Sequence, residues 1–156
     1  INTVTELDLS GKNISELSGI EYFTALRDLN CNNNQLTSLD VSQNTSLEHL
    51  SCVSNQLTEL DLSLNTNLDY LSCASNRITS LDVSENTNLT FLDCHHNLLS
   101  HLNLSNSNNQ SLDQVKAYHN PDLSCIEVDD PAWSQNNWTG TQFTFPDIFN
   151  FNINCQ

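Results

Sequence analysis

The chain has 156 residues, and its 4 Lys and Arg residues against 19 Asp and Glu give a formal net charge of −15. A surface this acidic is a poor electrostatic match for nucleic acid or anionic lipid, so we exclude both as partners. No apolar run approaches the roughly 18 residues that a membrane-spanning helix needs, and no signal peptide is recognisable, so membrane insertion is not expected.

Residues 1–25 form a variant of a unit that recurs along the chain. Leu7 takes the place that Leu29 has in the next unit, and Asn13 takes that of Asn34, with one residue inserted. The segment GIEYFTA should form a turn of helix or an irregular loop on the return side of this variant repeat.

Four full copies of the unit follow, each with the pattern Leu-x-x-Leu-x-Cys-x-x-Asn, and their cysteines are evenly spaced along the chain. The copies cover residues 26–46, 47–67, 68–88 and 89–111. A period of 20–29 residues with leucines and an asparagine in this order is typical of a leucine-rich repeat. Each unit of such a solenoid is one strand plus a return segment, and it buries its apolar side only against its neighbours.

The second leucine of each copy is predicted to lie at the centre of a strand, where it and the cysteine two residues later point into the stack. These central residues are Leu29, Leu50, Leu71 and Leu92. The asparagine that follows each strand should satisfy buried backbone groups of its own unit and of the adjacent one. These asparagines are Asn34, Asn55, Asn76, Asn97 and Asn120. The second half of each unit is too short for a helix and should run extended on the convex side.

Residues 112–120 are a degenerate last repeat, with Ala117 in the place of the cysteines. The interval from Cys94 to Ala117 is longer than the regular period, and the extra residues lie in the stretch NSNNQS that starts at Asn106, which should be the softest part of the stack. Residues 121–156 are predicted to form a C-terminal cap that carries both tryptophans. The predicted fold is a repeat solenoid with a parallel concave β-sheet over residues 1–120 and this cap.

The six cysteines fall into two populations. Neighbouring parallel strands lie about 4.8 Å apart with parallel Cα–Cβ vectors, whereas a disulfide needs Cβ atoms about 3.8 Å apart with converging vectors. The cysteines of the full repeats should therefore be buried free thiols, and a row of them cannot converge on one zinc ion. Cys125 and Cys155 close a cap loop with little regular pattern and are predicted to form a disulfide. The four predicted free thiols are Cys31, Cys52, Cys73 and Cys94.

Solvent-facing side chains of successive strands should form a stripe along the concave face. Aromatic side chains at successive rungs make an anchor patch for a partner, so this stripe is the predicted ligand-binding surface. Ordinary cross-strand stacking that stabilises the sheet is the alternative. The predicted binding residues are His49, Tyr70, Phe91, Asp93, His95 and Tyr118.

Two groups of polar residues are candidate metal sites. One comprises Asp93, His95, His96 and His119 at the C-terminal end of the stripe, but adjacent histidines on a strand normally point to opposite sides. The other is the convex column Asp40, Asp61, Asp82 and Asn103, which could hold calcium, although its alternation with serine fits side-chain bonds to the backbone at turns better. We therefore predict no metal and no cofactor.

Signatures of enzymes are missing from the sequence. With only three glycines there is no glycine-rich phosphate loop, and neither Gly-x-Ser-x-Gly nor His-Glu-x-x-His occurs. Because the repeat cysteines are predicted to be buried, none of them is placed to act as a nucleophile. The sequence therefore predicts a protein that is not an enzyme.

The repeats resemble the short cysteine-ladder leucine-rich repeats of bacterial surface proteins, seen in internalin J-like adhesins and in large secreted proteins of Bacteroidetes-type bacteria. ITSLDVSENTNLTFLDCHHN is close to the repeat consensus of that family, and NPDLSCIEVDDPAW with the final NINC looks like its usual terminal cap. The helical N-terminal cap that such domains often have is missing. The resemblance implies a secreted or cell-surface protein whose repeat region is a binding or spacing module.

These patterns together favour a non-catalytic extracellular recognition module of a larger surface or secreted protein. Its concave face would bind a protein or a neutral glycan, and the chain would be a monomer or associate weakly through its open N-terminal edge. The alternatives are a structural spacer and an accessory binding module of a secreted polysaccharide-degrading enzyme. Since the sequence contains no methionine, we expect it to be a processed piece of a longer protein.

Overall fold

The computed structural model describes residues 3–155, which form a solenoid with two parallel sheets. The strands in chain order are β1 (Glu6–Asp8), β2 (Asp28–Asn30), β3 (His49–Ser51), β4 (Tyr70–Ser72), β5 (Ser80–Asp82), β6 (Phe91–Asp93), β7 (His101–Asn103), β8 (Gln114–Lys116), β9 (Cys125–Glu127), β10 (Phe143–Thr144) and β11 (Asn150–Asn152). One α-helix, α1 (Pro131–Asn137), lies in the cap, and short 3₁₀ turns span Ile20–Tyr22 and Asn109–Ser111.

The concave sheet has seven strands in the order β1-β2-β3-β4-β6-β8-β10. The predicted strand centres are confirmed, because Leu29 pairs with Leu50, Leu50 with Leu71, and Leu71 with Leu92 in one register. This register follows from the sequence, since side chains two apart share a face and a slip by one residue would expose every leucine. The buried leucines of successive rungs form one continuous core.

The return segments form a second, convex sheet of four strands in the order β11-β9-β7-β5. Its central residues Leu81, Leu102, Ile126 and Phe151 pair in register. The predicted extended segments are thus joined by backbone hydrogen bonds in the C-terminal half of the stack. Because β9 pairs with β7, the repeat geometry continues past residue 120, where the sequence predicted the stack to end.

The predicted structural role of the asparagine after each strand is confirmed. The Asn55 side-chain amide donates to the carbonyl oxygens of Cys31 at 3.0 Å and Cys52 at 3.1 Å, and its oxygen accepts from the Leu36 N–H at 3.0 Å. One side chain therefore satisfies backbone groups in two rungs, which removes the penalty of burying them unpaired. Asn34, Asn76, Asn97 and Asn120 make equivalent bonds.

A second asparagine ladder, which the sequence analysis did not predict, lies in the return segments. Asn65 is fully buried and donates to the carbonyl oxygens of Val41 and Asn44, each at 3.0 Å. Asn44 and Asn86 make equivalent bonds, and Asn106 continues the row by donating to the Asn86 carbonyl oxygen at 3.1 Å. Each rung is therefore bonded to the next by amides at two separate corners. Asn106 and Asn109 of the longer NSNNQS stretch are buried, whereas Ser107, Gln110 and Ser111 are exposed. That this stretch is the softest part of the stack stays a prediction.

The first repeat differs from its prediction at the asparagine position. The Gly11 N–H donates to the Asn32 carbonyl oxygen at 2.9 Å, as the Ser54 N–H does to that of Ala74 at 3.0 Å. Gly11 therefore lies at the corner with positive φ, and Lys12, not Asn13, occupies the ladder position. The inserted residue of this repeat lies after the corner, next to Gly19. Leu7 still pairs with Leu29, as predicted.

The four repeat thiols are buried and free, and Cys125 is bonded to Cys155, as predicted. Burial raises the pKa of the Cys73 thiol to about 12, because a thiolate would lose its hydration. These cysteines therefore act as small apolar side chains of the core.

Replacing Cys73 by serine should lower the free energy of unfolding by about 1–3 kcal/mol, because a hydroxyl group would enter an apolar stack. Cys73→Ala removes the sulfur without adding a polar group and should have a smaller effect. Urea denaturation of both variants measures the difference. Equal and negligible losses would show that this side chain does not pack in the core.

The cap closes the C-terminal end of both sheets. Pro131 begins α1, and the Asp130 side chain accepts a hydrogen bond from the Trp133 N–H at 3.0 Å, a typical N-cap. Trp138 packs on Phe143 with ring centroids 5.6 Å apart, and β10 and β11 each add the last strand to one sheet. No helix within residues 3–155 is long and apolar enough to cross a membrane.

The N-terminal end of the stack carries no such cap within the described residues. Strand β1 pairs only with β2, and its two acidic side chains are exposed. Val4 and Leu7 are only partly buried there. Association through this edge stays a prediction, and Ile1 of the predicted first rung lies outside the described residues.

Candidate ligand-binding surface

An aromatic column runs along the concave sheet, because strands β3, β4 and β6 bring one ring each into register. Tyr70 and Phe91 stack in parallel, with centroids 4.4 Å apart and an angle of 6° between the rings. The ring of His49 meets Tyr70 edge-on at 6.1 Å, and the Lys116 ammonium group lies 5.6 Å from the centre of the Phe91 ring. Stacked rings and a cation over a ring face both stabilise this side of the sheet.

A second aromatic pair lies beside this column, just after the strands end. His95 follows β6 and Tyr118 follows β8, and their rings stack with centroids 4.7 Å apart. All of these side chains except His49, which is exposed, are half-buried, so each keeps part of its surface open. We call the set of predicted residues His49, Tyr70, Phe91, Asp93, His95 and Tyr118 the aromatic stripe.

Asp93 is the member of the aromatic stripe whose side chain is buried below its surface. It is 7% exposed, although it was predicted to face solvent, and Ser72 in the same column is 6% exposed. The Asp93 carboxylate bonds to the His95 ring nitrogen Nδ1 and lies 3.7 Å from the Lys116 ammonium group. Asp93 therefore orients His95 and Lys116 and offers little surface to a ligand.

The N-terminal half of the concave face is acidic. The His49 ring bonds to the Asp28 carboxylate through Nδ1 and lies 3.1 Å from an Asp69 oxygen through Nε2. The hydrogen bond to Asp28 raises the pKa of His49, with a smaller contribution from the charge of Asp69. An open groove of about 310 Å³ lies here, and its lining includes Glu6 and Asp8.

The C-terminal histidines pair with each other instead of surrounding one point. The His96 and His119 ring nitrogens are 2.8 Å apart, and both residues lie at corners with positive φ. His95 is turned toward Asp93. Loss of hydration lowers the pKa of His96, and the nearby charges of His119 and His95 act in the same direction. Within residues 3–155, no three His, Cys, Asp or Glu side chains are grouped to hold a metal ion.

The side chains of the convex column bond to the backbone two residues further on, as the interpretation of side-chain bonds to the backbone predicted. The carboxylates of Asp40 and Asp61 accept hydrogen bonds from the backbone N–H groups of Ser42 at 2.9 Å and Ser63 at 3.0 Å. These bonds lower the pKa of both carboxyl groups. Asp82 and Asn103 make the same contact.

Three residues that shape this surface were missing from the predicted set. Asp28 and Lys116 stand at strand positions in the same columns as His49 and Asp93, so the repeat spacing already placed them there. Asp69 lies just before β4 and contacts His49 of the preceding rung. No signal in the sequence distinguishes Asp69 from other acids that face solvent.

The sequence matches the family model of leucine-rich repeats, in two copies, over residues 2–44 and 66–100. Internalin J of Listeria monocytogenes serotype 4b (strain F2365) is 46% identical over 43 residues, which are 28% of this chain and 5% of that protein.

Solved structures agree with the fold over nearly the whole chain. The functional domain of InlJ from Listeria monocytogenes, which includes a cysteine ladder, aligns with a TM-score of 0.76 and 33% identity over 97% of this chain. The internalin InlF of the same species aligns over 97% of this chain and 44% of its own, with a TM-score of 0.73 and 20% identity. A leucine-rich repeat protein of Leptospira interrogans aligns with a TM-score of 0.60 and 20% identity over 94% of this chain and 49% of its own. The chain spans 37% of the InlJ domain.

Proposed function

The chain belongs to the leucine-rich repeat family, and on that premise we propose that it is a non-catalytic recognition module that binds a protein or a neutral glycan through the aromatic stripe. The fold supports this proposal, because leucine-rich repeats commonly mediate protein binding. The repeats determine the scaffold, whereas the side chains on its surface determine the ligand.

One observation carries the proposal: a partly open, stacked aromatic pair stands at the middle of the concave face. Tyr70 and Phe91 are held in parallel at 4.4 Å by the strand register, so their surface is ordered before a ligand arrives. A pre-ordered anchor loses little conformational entropy on binding. Tyrosine and other large aromatic residues are also enriched among the residues that dominate binding energy.

Charge limits the class of partner. The formal net charge is −15, and the acids of the N-terminal half lie next to the aromatic column. A cationic protein surface would be attracted to this half and a neutral glycan would not be repelled, whereas a sulfated or uronic polymer would be. The partner we propose is therefore a basic protein surface or a neutral glycan.

The disulfide of the cap supports an extracellular location. The Cys125–Cys155 disulfide is of the kind that persists in oxidising compartments and is rare in the cytosol. We infer that the module is secreted or displayed at a bacterial surface as part of a longer protein. Immunodetection of the full-length protein in culture medium and on intact cells tests this location.

The double variant Tyr70→Ala/Phe91→Ala should fold normally and bind its partner more than about tenfold more weakly, because both halves of the anchor are removed. Binding is measured against an array of neutral glycans and a panel of cationic surface proteins, with circular dichroism as the folding check. The matched control is Asp40→Ala on the convex side, which should change the affinity by less than about twofold.

The opposite pattern, in which Asp40→Ala abolishes binding and the double variant does not, would show that the concave face is not the binding surface. A module that binds nothing on either panel, and whose double variant only loses stability, would favour the spacer role. In that role the stacked rings of Tyr70 and Phe91 only stabilise the sheet.

A further inference from the structure

A second open groove lies between the longer repeat and the cap. Its volume is about 480 Å³, and it shares no lining residue with the aromatic stripe. It lies where the repeat is longer than the regular period. Its walls are the segment 107–111 and the residues Asp129, Asp130 and Trp133.

The backbone that frames this groove is held in place. The Asp129 carboxylate accepts hydrogen bonds from the N–H groups of Ser107 at 3.0 Å and Asn109 at 3.4 Å. The side-chain oxygen of Asn109, which is 4% exposed, accepts in turn from the Asp129 N–H at 2.8 Å. A groove with walls fixed in this way needs little ordering when a ligand enters.

Several side chains of the groove have no partner within residues 3–155. The indole N–H of Trp133 and the side chains of Gln110 and Ser111 make no hydrogen bond there, and Gln110 and Ser111 are exposed. The half-buried Trp133 ring meets Trp138 edge-on at 6.5 Å and also lines the groove. Since these positions lie in the insertion and the cap, stacking of repeats does not dictate their side chains.

We propose that this groove binds a neutral oligosaccharide, with a sugar ring against the Trp133 indole and sugar hydroxyls bonded to Gln110 and Ser111. The C–H groups of a pyranose form an apolar patch that an indole covers well, and amide and hydroxyl side chains both donate to and accept from sugar hydroxyls. The groove volume lies within the range of about 300–1,000 Å³ that is usual for small-molecule sites. Asp129 and Asp130 disfavour an acidic sugar at the same place.

Tryptophan fluorescence gives a local readout of this site. The chain has two tryptophans, and Trp138 is only 5% exposed, so a change caused by a bound sugar would come from Trp133. The probes are the neutral trisaccharides chitotriose, cellotriose and maltotriose, with trigalacturonic acid as the acidic control. We expect at least one neutral trisaccharide to give a saturable change and the acidic one to give none.

Gln110 and Ser111 are exposed, so replacing both with alanine should leave the fold intact. Gln110→Ala/Ser111→Ala should weaken binding of the trisaccharide about fivefold or more, because it loses two hydrogen bonds. Tyr70→Ala/Phe91→Ala should leave this affinity unchanged, since those rings lie on the other surface. The inference is overturned when no neutral trisaccharide gives a saturable change, when trigalacturonic acid binds equally well, or when Gln110→Ala/Ser111→Ala binds as the wild type does. Each of these results leaves the concave-face proposal untouched.

Discussion

Replacing Asn76 by alanine should lower the free energy of unfolding by about 3–5 kcal/mol, a large part of the stability of a domain of this size. The Asn76 amide donates to the carbonyl oxygens of Cys52 and Cys73, each at 3.0 Å, and its oxygen accepts from the Leu57 N–H at 3.0 Å. Alanine would leave the Leu57 N–H buried without a partner. The two carbonyl groups would each lose one of their two donors, because Asn55 still bonds to Cys52 and Asn97 still bonds to Cys73. Each lost hydrogen bond contributes about 0.5–1.5 kcal/mol. A buried group without its partner costs about 1–3 kcal/mol.

The matched control for this variant is Asn67→Ala. Asn67 also donates to a carbonyl oxygen of the preceding rung, that of Thr45 at 3.0 Å, but this bond is exposed and water can replace it. Its loss should change the free energy of unfolding by less than about 0.5 kcal/mol. Urea denaturation followed by circular dichroism measures both variants. Similar small losses for the two would mean that the asparagine ladder does not stabilise the stack.

Removing the disulfide with Cys125→Ala/Cys155→Ala should lower the free energy of unfolding by about 3–4 kcal/mol, the loop-entropy value for a separation of 30 residues. The bond joins β9 to the end of the cap and so restricts the unfolded chain. Dithiothreitol should lower the stability of the wild type by a similar amount and leave the variant unaffected, because the repeat thiols are already reduced. A wild type whose urea midpoint does not respond to the reductant would contradict this prediction.

Most of the architecture follows from one period, because parallel pairing joins equivalent residues of successive units. Leu29, Leu50, Leu71 and Leu92 could be placed at strand centres for this reason. Spacing alone predicts Asn13 as the ladder residue of the first repeat, which is wrong, because Lys12 occupies that position. The sequence does not show which of two neighbouring residues at a corner points its side chain into the stack.

Other features could be predicted only in part. Asn44, Asn65 and Asn86 recur with the same period as the first ladder, so the signal for the second ladder was present, but a polar residue in a return segment is expected to face solvent. Strands β10 and β11 lie in the cap, which does not contain the repeat pattern. Each forms by pairing with the open edge of the last strand of a sheet, β8 for β10 and β9 for β11.

The residues of the aromatic stripe were placed on one face correctly from their spacing, whereas the burial of Asp93 was not foreseen. Its carboxylate contacts the side chains of His95 and Lys116, and spacing along the chain carries no information on the rotamers that make these contacts. Whether the stripe binds a ligand stays a prediction.

The disulfide also decides how the module responds to mechanical force. When the chain is pulled at its C-terminal end, tension passes from Cys155 through the disulfide directly to Cys125, at the start of β9. The residues between them, including α1 and β11, carry no load. From Cys125 the tension continues along the chain into residues 112–124, so it reaches the last repeat first. Rungs contact only their neighbours, so extension from this end would proceed one rung at a time.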